Sequence, residues 1–307
     1  MSHYFSTKEV ALALGVSQSS VKRWCDAGDL EMVQTSGGHR RISLVSLFQF
    51  FRRNQRLPDQ PEILGLPYLS KHEEVDYGAE KCRFKESLIS SDEEVARAVI
   101  LSLYLSQTPI SSIGDKLIAP VFSEIGNLWD CGDVQIYQER RCCEITLRIL
   151  RELRSLLPPV AETAPLAIGA TPPGDAYSLP VALVELVLRE RGWNAISYGC
   201  QVPLTSLEKV VEEQHPRLIW ISASYIPEHK KFLADYKSLA SLALAEGTIM
   251  VVGGQGIGCS MRREMEFHMF GDTLRHFELF ASICYQTDYP NANGVNVEYS
   301  SIAESLS

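Results

Sequence analysis

Arg40 and Arg41 stand behind a Gly-Gly turn in Thr35-Ser36-Gly37-Gly38-His39-Arg40-Arg41. Two adjacent guanidiniums there make a short basic wing suited to a phosphate backbone, the source of most sequence-independent DNA affinity. His39 reads as a hydrogen-bond donor to phosphate or backbone rather than a metal ligand. Upstream, Gln18, Ser19, Ser20, Lys22 and Arg23 fall on a helical stretch with the side chains needed to reach groove edges or phosphates, while Val21 and Trp24, three apart, read as core. These eight residues predict binding to double-stranded DNA at an operator.

Other chemistries find less support. The run Gly253-Gly254-Gln255-Gly256-Ile257-Gly258 follows an apolar stretch, but the fourth such stretch rather than the first, and no acid stands where a ribose would need it. The seven histidines have no serine or cysteine context of a nucleophile and its base, so no catalytic residue is assigned and the chain is read as a non-enzyme. Eight cysteines show neither a C-x-x-C pair nor zinc-type spacing, which implies reduced thiols and no metal site.

The elements that must position the DNA-reading residues are legible. Ser6 caps a helix with Glu9 as its capping-box partner, and Gly15 ends it. A second helix runs from the Val16–Ser20 turn through Cys25 to Gly28, and Leu30 begins the wing. Residues 1–56 carry eight lysines and arginines against four acids, a net of +4 on a chain of net −9. A small basic head on an acidic body fits a DNA reader joined to domains of another kind. Pro58, Pro61 and Pro67 predict a linker over 57–74 and a mobile head. Four helical patterns follow, near 77–88, from a Ser91 cap with Glu94, from Ile113 to Trp129 and through Cys143 to Leu153, and predict a four-helix-bundle cap over 75–160. Beyond Pro159, apolar runs at 166–170, 194–198, 218–223 and 248–252 alternate with helical stretches. They predict an α/β multidomain chain that ends in a Rossmann-like, doubly wound parallel sheet over 161–286. The ligand crevice of such a sheet lies beyond the carboxyl ends of its strands, here 171–180, 199–205, 224–227 and 253–260. The polar stretch 287–307 reads as a disordered tail. With neither an apolar run of membrane-spanning length nor a signal peptide indicated, the chain is expected in the cytoplasm, away from membranes.

Residues 4 to about 56 resemble the winged helix-turn-helix of MerR-type and excisionase-type regulators. Taken to about residue 286, the chain resembles the MerR-type, cobalamin-binding CarH and LitR class of light-responsive repressors. In that class an Asp-x-His-x-x-Gly loop ligates cobalt from below; here Asp175 is kept, but Tyr177 replaces the histidine and Pro180 the glycine. The cap of the class carries Trp and, after nine residues, Glu-His; here Trp129 is followed by Glu139 and Arg140. Ser222 to Ser224 and Gly253-Gly254 match the small residues lining the slot for the nucleotide tail. The resemblance thus implies a ligand site at Trp129, Glu139, Arg140, Asp175, Tyr177, Ser222, Ser224, Gly253 and Gly254, without either signature histidine. Tyrosine, with a reference pKa of about 10, must lose a proton before it ligates a metal. Arg140 stays cationic and does not ligate at all.

Several readings of the pocket stay open: a cobalamin without a histidine on cobalt, a haem on Tyr177, a bilin on Cys142, Cys143 or Cys200 with Arg140 at its propionates, or an empty site. Taken together, the expectation is a transcription regulator, a repressor, controlled by homo-oligomerisation and by a tetrapyrrole or light. Two rival readings are a corrinoid carrier in a methyl-transfer system and a ligand-free, protein-binding anti-repressor.

Overall fold

The computed structural model describes residues 4–70, 74–130 and 135–286. It divides into two compact units, Met1–Pro159 and Val160–Ser307. The predicted tail at 287–307 lies outside the described residues.

The first unit opens with β1 (Tyr4–Ser6), α1 (Thr7–Ala13), α2 (Gln18–Ala27), β2 (Val33–Gln34), β3 (Arg40–Ser43) and α3 (Leu44–Asn54). The capping box of α1 forms as the sequence predicts, with the Ser6 N–H donating to Glu9 Oε2 at 2.7 Å and the Glu9 N–H to Ser6 Oγ at 3.2 Å. Gly28 ends α2 in the left-handed region at φ 80°. β3 is the central strand of a small antiparallel sheet, paired with β1 and β2. Val10, Ala13, Leu14, Val21, Ile42, Leu47, Phe48 and Phe51 make the buried core that holds α1, α2 and α3 together.

Residues 57–70 form a packed strap and not the mobile linker expected from their prolines. Pro61–Leu64 is a 3-10 turn closed by Gly65 at φ 69°, and Leu64, Leu66 and Leu69 are buried. The Gln60 N–H donates to the Ala13 carbonyl at 3.0 Å, and Arg97 Nη2 donates to the Gly65 carbonyl at 2.8 Å. Proline removes a donor and fixes φ, but neither effect prevents an apolar segment from burying its leucines.

The helices α4 (Tyr77–Ile89), α5 (Glu93–Leu105), α6 (Ile110–Ile113), α7 (Ala119–Asp130) and α8 (Ile136–Leu156) follow, with a π turn at Gly114–Ile118 between α6 and α7. The cap of α5 is Asp92, which accepts from the Val95 N–H at 3.1 Å; Ser91, the expected cap, stands at φ 61°. Arg97 grips Glu152 of α8 through two bonds of 2.7 Å, a bidentate pair that holds α5 to α8. The head is seated on these helices: the Arg52 guanidinium lies 3.9 Å over the Tyr104 ring, Gln49 donates to the Leu156 carbonyl at 3.5 Å, and the Gln107 amide donates to the Arg52 carbonyl.

The second unit alternates β4 (Leu166–Ala170), α9 (Ser178–Glu190), β5 (Asn194–Ser197), α10 (Leu204–Gln214), β6 (Leu218–Ser222), α11 (His229–Ala245), β7 (Ile249–Gly253), α12 (Cys259–Arg262), β8 (Met269–Gly271) and α13 (Leu274–Gln286). Its five strands are all parallel, in the order β5-β4-β6-β7-β8. Ile168, Ala170, Ile219, Ile221, Met250 and Val252 pack on α10 and α11 through Leu207, Val211, Phe232 and Tyr236. α9 packs against β4 and β6, and α13 against α9. The chain steps from β4 to β5 on one side and then crosses back past β4 to β6 on the other, which makes the carboxyl end of the β4–β6 pair the switch point where doubly wound sheets bind ligands.

Candidate functional site

Two regions carry the predicted residues. In the head, Lys22 and Arg23 stand exposed on the middle of α2, one turn beyond a cap in which Ser17 Oγ accepts from the Ser20 N–H at 3.1 Å. Val21 is fully buried and Trp24 half-buried, its ring tilted against Phe50 with centroids 4.9 Å apart, so both pack inward as their spacing suggests. Ser19 and Ser20 sit around Ser17 Oγ at 2.7 and 3.0 Å. The Gln18 amide donates to Thr7 Oγ1 at 2.8 Å and so braces α2 against α1.

The wing differs from its sequence reading. Arg40 and Arg41 are consecutive residues of β3, and successive side chains of a strand point to opposite faces. Arg40 turns back onto α2, its Nη2 at 2.6 Å from Asp26 Oδ1 and its Nη1 donating to the Lys22 carbonyl at 3.4 Å. Arg41 is exposed, as is His39, whose backbone N–H donates to Thr35 Oγ1 at 3.2 Å. The doublet is therefore split: Arg40 packs the wing onto α2, and Arg41 faces water. Arg52 and Arg56 are likewise occupied, Arg52 over Tyr104 and Arg56 donating to the Leu14 carbonyl at 3.0 Å.

In the second unit the loops after β4, β5 and β6 are tied into one rim. Asp175 is fully buried. Its Oδ1 accepts from the Tyr177 N–H at 2.9 Å, and its Oδ2 accepts from the N–H groups of Ser224 at 2.6 Å and Tyr225 at 3.3 Å. Thr171 extends the tie, its Oγ1 donating to the Asp175 carbonyl at 2.6 Å and accepting from the Gln201 N–H at 3.0 Å. Asp175 is thus a brace between loops. Tyr177, Tyr198 and Tyr225, one beyond each of three neighbouring strands, are exposed on the rim. Tyr198 and Tyr225 escaped the sequence reading as site residues; the available signal was a tyrosine at the end of the 194–198 run and another two residues past the 218–223 run. His229, with Pro227 and Lys230, lines a shallow open depression beside this rim.

The small residues expected to leave a slot are packed against the protein itself. A Cβ on Gly254 would meet the Ala223 carbonyl oxygen at 2.3 Å, and one on Gly253 the Gly271 carbonyl oxygen at 3.0 Å. Ser222 is buried, and Ser224 is held through its N–H by Asp175. These residues do not fit a cobalamin that inserts its nucleotide tail, and Tyr177 in place of histidine offers cobalt no imidazole.

In the helical region Glu139 and Arg140 face each other at 3.8 Å in the first turn of α8. Trp129 lies in the last turn of α7, and its side chain is outside the described residues. Burial pushes the Cys142 thiol up to about 11 and the Cys143 thiol up to about 12, and it raises Cys200 as well. Thiols held in the protonated form by burial are poorer nucleophiles than exposed ones. Among the described residues no cluster of three or more His, Cys, Asp or Glu side chains could hold a metal ion, and no helix is long and apolar enough to cross a membrane.

Residues 4–55 match the helix-turn-helix domain family. Residues 82–154, the helical region, match the B12 binding domain family. The chain therefore joins a helix-turn-helix head to a region of the B12-binding type, with a five-stranded Rossmann-like sheet after it. In fold it is similar to the monomethylamine corrinoid protein of Methanosarcina barkeri, at 13% identity and a TM-score of 0.56, over 67% of this chain and 98% of that one. A cobalamin-binding protein of Desulfitobacterium hafniense DCB-2 aligns at 15% identity and a TM-score of 0.36, over 69% of this chain and 99% of that one. Comparison with curated protein sequences finds no match.

Proposed function

We propose that this chain is a non-catalytic transcription regulator, a repressor, that binds an operator through its head and self-associates through residues 75–286. The observation that carries the reading is the exposed set of Lys22 and Arg23 on α2 with Arg41 on the adjoining wing, in a head that matches the helix-turn-helix family. A single small head makes few base contacts, so useful affinity requires two heads on two half-sites, held together by the rest of the chain. As effector we propose a flat tetrapyrrole, a corrinoid among them, lying against the Tyr177 and Tyr225 rim with no protein side chain on its metal. Phenol rings supply flat contact area at low entropic cost and need no ionisation to do so.

A second reading, a corrinoid carrier for methyl transfer, draws on the fold shared with the Methanosarcina corrinoid protein. The filled small-residue positions at Gly253 and Gly254 weigh against it. Selection from a random duplex pool with the full-length chain, followed by footprinting, separates the two. Enrichment of a site with two similarly protected halves is expected for the regulator. A pool that stays unenriched at low salt, with light scattering that reports a monomer at every concentration, would contradict it.

A further inference from the structure

β4 and β6 are paired so that Gly169 faces Trp220 directly across the two strands. Ile168, Ala170, Ile219 and Ile221 belong to the core on the α10 and α11 side. Gly169, Trp220 and Ser222 therefore share the opposite face, where α9 packs on both strands. The Trp220 indole lies over Gly169 so closely that a Cβ there would fall 2.1 Å from two of its ring carbons. Only glycine is compatible with the indole in this position.

The indole is 2% exposed, yet its Nε1–H has no hydrogen-bond partner among the described residues. The other tryptophan of this unit, Trp193, is equally buried but donates from Nε1 to the Ala281 carbonyl at 3.2 Å. Core packing by itself does not account for the difference, since an apolar side chain would fill the space without stranding a donor. The indole, two residues before the carboxyl end of β6, fills a flat space of bicyclic size roofed by the bare backbone of Gly169, at the switch point of the sheet.

We infer that the sheet unit holds a slot for a flat bicyclic aromatic group between β4, β6 and α9, and that this chain fills the slot with its own Trp220. Trp220 is then a specificity-determining residue: it excludes any ligand that must insert a pendant heteroaromatic base into the sheet. A cobalamin meeting this unit keeps its benzimidazole outside, on its own cobalt, or is not retained. The inference is independent of DNA binding by the head.

The test uses the full-length chain, Trp220→Gly and Gly169→Ala, with 5,6-dimethylbenzimidazole, indole and cobalamin as probes. Wild type is expected to show no shift in Tm with either bicyclic compound, and cobalamin added to it to keep the spectrum of its base-on form. Trp220→Gly is expected to melt lower and to regain several degrees with dimethylbenzimidazole or indole. Gly169→Ala is expected to melt lower than wild type, with tryptophan emission shifted to the red as the indole is pushed out. Base-off cobalamin on the wild type, or a folded Trp220→Gly whose Tm ignores both compounds, overturns the inference. Where Trp220→Gly does not fold, Gly169→Ala decides: unaltered Tm and emission overturn it, and the lowered Tm with red-shifted emission supports it.

Discussion

The head and the carboxyl ends of the central strands both carry residues that their sequence patterns mark as functional, but they treat those residues in opposite ways. On α2 and the wing, Lys22, Arg23 and Arg41 are left exposed, while the neighbouring Arg40, Arg52 and Arg56 are drawn into the protein to set the frame. At the carboxyl ends of the central strands the marked residues are consumed: Asp175 spends its carboxylate on three backbone N–H groups, Gly253 and Gly254 pack on neighbouring carbonyls, and Trp220 lies over Gly169. A residue that matches a signature in type can still be spent on holding its own loop. Whether a ligand still uses it depends on which atoms remain unspent.

The largest effect expected from this contrast is at Asp175. Replacing it with alanine strands three N–H groups in a buried loop junction and should cost the sheet unit about 3 kcal/mol, given the size of hydrogen bonds to buried charged groups. Urea unfolding monitored at the Trp193 and Trp220 emission measures this. A loss below about 1 kcal/mol would show that the loops do not depend on the carboxylate.

The head should respond in affinity rather than stability. Arg41→Ala is expected to weaken binding to any duplex by about tenfold and to reduce the salt slope by about one unit, because one phosphate contact is lost. Arg40→Ala should do less, since its guanidinium is engaged with Asp26 and a partly exposed pair of this kind is worth at most about 1 kcal/mol. Fluorescence anisotropy of the two variants tests the split directly. Equal losses would restore the two arginines to a single clamp.

Smaller still are the differences among the thiols. At pH 8 the exposed Cys82 and Cys259 should alkylate first with iodoacetamide, and Cys142 and Cys143 should resist until the chain unfolds, since burial holds both well above neutrality. Mass spectrometry of labelled peptides reads the order. Early labelling of Cys143 would reopen covalent attachment at that position.

The smallest expected effect is a pH dependence at His268. Burial lowers its pKa below 6.5, and its Nδ1 accepts from the Met250 N–H at 3.0 Å, so the folded unit holds a neutral ring. The stability tied to that ring is complete above the unfolded pKa of about 6.5 and is lost as pH falls below it, because the unfolded chain protonates first. Unfolding midpoints between neutral and mildly acidic pH should fall, and His268→Gln should flatten the fall.

Much of the fold was legible because its signals are local. Continuous apolar runs marked β4 to β7 to within about a residue, and the capping box of α1 could be read from Ser6 and Glu9 alone. β8 went unseen because three residues at a sheet edge, Met269–Gly271, carry no periodicity. The site was less legible because its decisive features are pairings. Nothing in the sequence places Gly169 opposite Trp220, Asp175 under Ser224 and Tyr225, or Leu64 and Leu66 against a core; each needs the register of distant segments. The alternation of Arg40 and Arg41 is different. It follows from a two-stranded wing, and a strand reading of 40–43 would have separated them.

The claim that the exposed cations of the head bind DNA is tested most directly by the salt dependence of the full-length chain on a labelled random-sequence duplex, wild type against the Arg23→Ala/Arg41→Ala double mutant. The predicted result is a linear fall of log K with log salt for the wild type, and a slope about two units shallower in the double mutant. Wild-type binding that is absent at low salt, or a slope that the double mutant leaves unchanged, would contradict the account.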